Sequence, residues 1–127
     1  MIAKIIKGTN FSGVVSYMLS KREGQVKVLQ ANGVRNSLPN DITHDFNLQA
    51  SMRPNVHKPV CHTILSFSAH DSDRLTDAIM VKIANEYLHK MGYGDTQSLI
   101  VRHNDRQHSH LHICINRIGN NGKTISD

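Results

Sequence analysis

Four of the nine histidines in this sequence fall within residues 103–112, in the run His103-Asn104-Asp105-Arg106-Gln107-His108-Ser109-His110-Leu111-His112. Imidazoles at that density point to a divalent metal ion, because the neutral ring nitrogen is a good ligand near neutral pH. In a strand, alternate side chains share a face. His110 and His112 therefore point the same way, about 7 Å apart at Cα, while Leu111 and Ile113 take the opposite, apolar side. A third ligand has to come from the end of a neighbouring strand, and His103 stands where that strand would end. His108 competes for the role: a strand begun two residues earlier would put 108, 110 and 112 on one face. Three consecutive same-face ligands on one strand are, however, too spread to close on one ion. A three-histidine site leaves coordination positions open, as catalysis requires and closed structural zinc sites do not. Asp105 is placed to hydrogen-bond a ligand imidazole and fix its tautomer. The plainer alternative is a polar strand whose histidines make ordinary hydrogen bonds, which suits one histidine better than four in ten residues.

The elements that must position these groups follow from periodicity. Residues 2–7 read as a strand closed by Gly8. Asn10 is an N-cap for a helix reaching about Lys21, with Phe11, Val14, Val15, Met18 and Leu19 at helical spacing. Residues 25–30 alternate as a strand, and Ala31-Asn32-Gly33 signals a turn. A second helix over 40–52 puts Ile42, Phe46 and Ala50 on one face, and Pro54 and Pro59 bracket a loop. Residues 60–67 form a strand with Cys61, Thr63, Leu65 and Phe67 on one side and Val60, His62, Ile64 and Ser66 on the other. After a polar loop at 68–75, Thr76 caps the strongest helix, whose apolar stripe is Ile79, Ile83, Tyr87, Leu88 and Met91. Gly92 ends it. Residues 98–103 and 110–118 are strands that pair as antiparallel neighbours, followed by a Gly119-Asn120-Asn121-Gly122 turn. The order β-α-β-α-β-α-β-β predicts an α+β domain built on an antiparallel sheet with packed helices.

Composition narrows the class of function. With 127 residues, 39% of them hydrophobic and 20% charged, the chain fits one soluble domain able to bury a core. No apolar run approaches the roughly 18 residues of a membrane span. Cys61 and Cys114 sit inside apolar segments and read as buried free thiols, which suits a reducing, cytoplasmic setting. The formal charge of +5 lies wholly within residues 1–35, where Lys4, Lys7, Lys21, Arg22, Lys27 and Arg35 face only Glu23. That placement suits either a polyanionic partner or an ordinary solvated surface. Lys4, Lys7, Lys21 and Arg22 are the candidates for contacts to a phosphate backbone. Few aromatic residues and no tryptophan are present, so a rich base-stacking platform is not evident.

The histidine run, followed by Asn116, resembles the metal-binding motif of the mobilisation relaxases, in the MOB-P-like branch of the HUH nuclease superfamily. Phe11-Ser12-Gly13-Val14-Val15-Ser16-Tyr17-Met18-Leu19 is similar to the nucleophile motif of the same family. His62-Thr63-Ile64-Leu65-Ser66-Phe67, the long helix and Met91-Gly92-Tyr93-Gly94 resemble the segment between them. The resemblance spans nearly the whole chain and keeps the family's motif order. It implies an HUH, palm-like relaxase fold over residues 1–127. It also implies a bacterial cytoplasmic setting and a role at the transfer origin of a plasmid or integrative element. Full relaxases continue past the histidine motif, so the stretch is expected to be the N-terminal catalytic portion of a longer protein.

The implied chemistry is transesterification on single-stranded origin DNA, with accessory mobilisation proteins and a coupling protein as partners. The resemblance raises Tyr17 over the other tyrosines as nucleophile. Tyr87 lies on an apolar helix stripe and reads as core, and Tyr93 sits in a glycine-flanked turn. Magnesium or manganese is the expected working ion, although histidines also accept zinc, nickel or cobalt. His62, His108 and Asn116 are further candidates for the active face. An HUH-type replication initiator or transposase is the nearest alternative, but those often place the tyrosine after the histidine motif. A non-catalytic, metal-stabilised DNA-binding module is the alternative from another class, and it predicts a closed four-ligand site recruiting His108 or Cys114.

Overall fold

The computed structural model describes residues 1–20, 24–104 and 109–126. Its elements run β1 (Ile2–Gly8), α1 (Phe11–Leu19), β2 (Val26–Asn32), α2 (Pro39–Ala50), β3 (Val60–Ser66), α3 (Asp77–Lys90), β4 (Ser98–His103) and β5 (His110–Asn116). A short 3-10 helix, Ala69–Arg74, replaces the polar loop that the sequence predicts before α3. The expected order of elements and the α+β class are both observed. The five strands form one sheet in the order β1-β3-β5-β4-β2, with every neighbouring pair antiparallel.

Side-chain caps start the helices where local chemistry favours them. The Asn10 side chain accepts from the Gly13 amide at 3.3 Å at the head of α1, and the Thr76 hydroxyl accepts from Ile79 at 3.2 Å at the head of α3. Gly92, at φ 85°, turns the chain out of α3 in a conformation that other residues rarely adopt.

The pairing register sorts the sheet into rows, which matter more for function than the elements themselves. On one face, Ile2, Ser66, His110 and His103 form a first row across β1, β3, β5 and β4. Lys4, Ile64, His112 and Val101 form the next row. Ile6, His62, Cys114 and Leu99 form the third. Helices α1 and α2 pack on this face, burying Phe11, Val15, Met18, Ile42 and Phe46 against Val60, Leu99, Val101 and Cys114. Phe11 and Phe46 stack at 4.8 Å and lock the two helices together. The opposite face carries Cys61, Leu65, Ile100, Leu111, Ile113 and Ile115 beneath Met80, Ala84 and Leu88 of α3.

The stripe of α3 differs from expectation by a small rotation. Met80, Ala84 and Leu88 are the buried residues, Ile83, Tyr87 and Met91 flank them, and Ile79 is 43% exposed. The ridge at i, i+4 and i+8 includes a small alanine, which lets the helix approach the sheet more closely than a row of β-branched residues would. Neither helix layer reaches β1. Ile2 is 74% exposed, Ile5 45% and Ile6 42%, so the β1 edge is open on both faces. Among the described residues no helix is long and apolar enough to cross a membrane.

Candidate active site

The rows bring three histidines into contact on the face shared with α1. His62 Nε2 lies 3.0 Å from His112 Nδ1, a hydrogen bond between neighbours on β3 and β5. The His103 ring, from β4, stacks on His112 with centroids 4.0 Å apart. Its Nε2–H donates to the Met18 carbonyl at 2.8 Å, which ties β4 to the last turn of α1. All three imidazoles are buried, at 3–7% exposure.

Tyr17 precedes Met18 on α1 and stays half exposed, because the buried face of that helix is Phe11, Val15 and Met18. Its ring stands over the histidine pair, 6.0 Å from the His62 centroid and 5.8 Å from that of His112. The bond from His103 to Met18 therefore anchors the peptide next to Tyr17 to the same cluster that its ring faces.

Of the anticipated trio, the rings of His103 and His112 stack, whereas that of His110, in the row of His103, is engaged by Ser66. His110 does share their face, as the alternation of β5 requires, and it pairs directly with His103 across the strands. Its Nδ1 engages the Ser66 hydroxyl at 3.2 Å. Among the described residues no three His, Cys, Asp or Glu side chains already converge on one point. The donor set nevertheless fits a divalent cation. Directly paired residues place their Cβ atoms about 5 Å apart, and same-face residues on one strand lie about 7 Å apart. Side-chain rotation alone can therefore gather His103, His110 and His112. His62 on His112 and the Met18 carbonyl on His103 are contacts of the kind that fix ring orientation in metal-binding histidines.

Burial, reinforced by the neighbouring His103, holds the His62 imidazole below the usual histidine range. Cys114 shares the His112 face, but full burial pushes its thiol far up, so it stays protonated and a poor metal ligand.

The other anticipated residues divide by face and row. Lys4 is exposed and shares the row of His112, whereas Lys7 points to the α3 face. Asn116 is not brought to the histidines: it lies beyond the row of His62, fully buried under α2. There its side chain donates to the Phe46 carbonyl and to Gln97 and accepts from Ile118. Lys21, Arg22, Asp105 and His108 lie outside the described residues. Tyr87 packs against the α3 core as expected. Tyr93, in its glycine-flanked segment, is 4% exposed beside Cys61, on the face away from the histidines. Two of the other basic residues in the N-terminal quarter are held by carboxylates, Lys27 by Asp77 and Arg35 by Asp45.

A family model for the relaxase, MobA/VirD2-like, nuclease domain matches residues 17–127. Its first matched residue is Tyr17, and it takes in every strand that carries the histidines. Among curated proteins, none matches the chain. The chain belongs to the MobA/VirD2-like relaxase nuclease family, and its activity class is that of a relaxase-type DNA endonuclease acting on single strands.

Proposed function

We propose that this chain nicks single-stranded DNA at a transfer origin by tyrosine transesterification and that Tyr17 is the nucleophile. The observation that carries the reading is the ring of Tyr17 standing 5.8 Å from His112 while remaining half exposed to an incoming strand. Tyr87 and Tyr93 belong to the core on the other face of the sheet.

In the proposed step the Tyr17 hydroxyl oxygen, losing its proton, bonds to the scissile phosphorus. The bond from phosphorus to the 3′ oxygen breaks, and that oxygen takes up a proton to leave as a free 3′-OH. One phosphodiester is exchanged for another, a 5′-phosphotyrosine, so the step needs no nucleotide cofactor and can reverse to reseal the strand. His103, His110 and His112 would hold a magnesium or manganese ion, which when bound offsets charge on the non-bridging oxygens. His62 bonds the His112 ring and the Met18 carbonyl bonds that of His103, contacts that would fix the orientation of both rings for a metal ion. Lys4, on the same face, would neutralise a neighbouring phosphate. Accessory mobilisation proteins and a coupling protein would deliver the origin strand.

The test is incubation with labelled single-stranded origin DNA and Mn²⁺, followed by denaturing electrophoresis. A covalent protein–DNA band that a chelator prevents supports the reading. Binding of the strand with no adduct under any divalent ion would make the chain a DNA-binding module instead.

A further inference from the structure

The row that begins with Ile2 and Ser66 and ends at His110 opens into a cavity of about 330 Å³ at the end of the sheet. Its walls are Met1, Ile2, Ser66, Phe67, Ser68 and His110. The floor is Phe67, which is 7% exposed and is held by a hydrogen bond from its amide to the Ser109 carbonyl at 3.1 Å. The outer wall is Ile2, one of the most exposed large apolar side chains of the molecule at 74%. An aliphatic residue left that open beside a cavity exposes apolar surface that a flat apolar ligand would cover.

The cavity adjoins the candidate active site through His110. His110 lines it and also pairs with His103, and Lys4, two residues along β1 from Ile2, lies in the row of His112. A single strand whose phosphate reaches the histidines and which runs toward the β1 edge would pass the mouth of this cavity. A nucleobase is a flat body of mixed character, with apolar faces and polar edges. The cavity suits such a body: Ile2 and Phe67 line it with apolar surface, and Ser66 and His110, bonded to each other, with Ser68, bonded to Asp71, give it a polar rim.

We propose that this cavity is a base-binding subsite that receives one unstacked nucleobase of the single strand, next to the phosphate held at the histidines. The inference rests on the single-strand reading above and adds a place where the chain grips a base as well as the backbone. Backbone contacts position a strand, whereas a pocket for a base can favour one nucleotide over another. Only the base fills the cavity; its phosphate stays on the Lys4 and His112 row.

The experiment compares two fluorescein-labelled probes of equal length at fixed salt, an oligo(dT) strand and the corresponding abasic strand, by fluorescence anisotropy. The ratio of their dissociation constants reports what the bases contribute. Two variants alter the cavity at exposed positions: Ser68→Trp fills it and Ile2→Ser strips its outer wall. The wild-type ratio is expected to fall about tenfold in both variants, with abasic-strand affinity unchanged. An unchanged ratio in both variants, with oligo(dT) still bound, overturns the subsite and leaves the nuclease reading standing. A wild-type chain that binds neither probe overturns the single-strand reading and the subsite with it.

Discussion

The two faces of the sheet carry opposite kinds of surface. Beneath α3, Cys61, Leu65, Ile100, Leu111, Ile113 and Ile115 close over an apolar core whose helix contributes Met80, Ala84 and Leu88. On the other face α1 and α2 cover Val60, Leu99, Val101 and Cys114, and the histidines stand beside that cover. Neighbours in the chain belong to different worlds: Leu111 is fully buried under α3, while His112 bonds His62 beside Tyr17. The difference teaches how a small domain separates its tasks. Both faces bury an apolar core, but only the face under α1 and α2 also carries buried imidazoles beside an exposed tyrosine.

Substitution of those two neighbours is the sharpest way to break the comparison. Leu111→Ala should cost about 2–5 kcal/mol of stability, measured by urea unfolding, and leave adduct formation by the remaining folded protein near normal. His112→Ala should cost only about 1 kcal/mol of stability, the scale of a lost hydrogen bond, yet reduce adduct formation to background. Equal effects of the two on both readouts would mean that the faces are not separate in function.

His62→Leu should weaken Mn²⁺ binding about 10- to 100-fold, read by calorimetry, because the partner that orients His112 is removed. His62→Gln, which keeps a polar group at the position of Nε2, should recover part of that affinity. Equal metal affinity in wild type and His62→Leu would reduce His62 to packing.

A smaller contrast lies in the helix caps. Asn10→Ala and Thr76→Ala should each cost about 1 kcal/mol of stability. Only the first should also slow adduct formation, since α1 carries Tyr17 and α3 lies on the closed face. Two equal slowings in adduct assays would deny α1 its special place.

The pH profile of stability has a different cause at each end. Burial pushes Tyr93 up to about 12 on the closed face, above the unfolded value near 10. The stability it contributes is present below pH 10 and is lost as pH rises through the folded value. At the acid end, Arg35 holds Asp45 low, and Lys27, then Arg102, hold Asp77 low. Their contribution is present above about pH 4 and fades as pH falls through the depressed values. Both carboxylates are near solvent, so the acid loss should be modest and salt-sensitive. A Tm that is flat from pH 9 to 11, as an approximate range around that tyrosine value, would argue that Tyr93 is not buried.

Much of this was legible in the chain itself, for reasons that particular residues make plain. Alternation around Leu111 assigned the faces of β5, and the short link between β4 and β5 made them antiparallel neighbours. The caps at Asn10 and Thr76 and the stop at Gly92 are local chemistry and appeared where local rules put them. What depends on long-range register was hidden. His62 had the right parity in its strand, but that it would bond His112 follows from the pairing of β3 with β5. Asn116 had the same parity as His110 and His112. Parity does not reveal which helix covers which row, and α2 takes Asn116 into the core. Tyr93 sits in a glycine-flanked turn, and that pattern alone gave no sign of burial. Its amide instead bonds back to the Leu88 carbonyl at 2.8 Å, and the ring folds under the sheet.

The measurement that tests the central claim most directly is the identity of the residue that carries the DNA. The covalent complex formed on origin single strand with Mn²⁺ would be isolated, digested with trypsin and nuclease, and sequenced by mass spectrometry. The account predicts a nucleotide on Tyr17, in the peptide from α1 that faces His62 and His112, and no adduct from Tyr17→Phe. A nucleotide on Tyr93 or Tyr87, or an adduct that survives Tyr17→Phe, would contradict it.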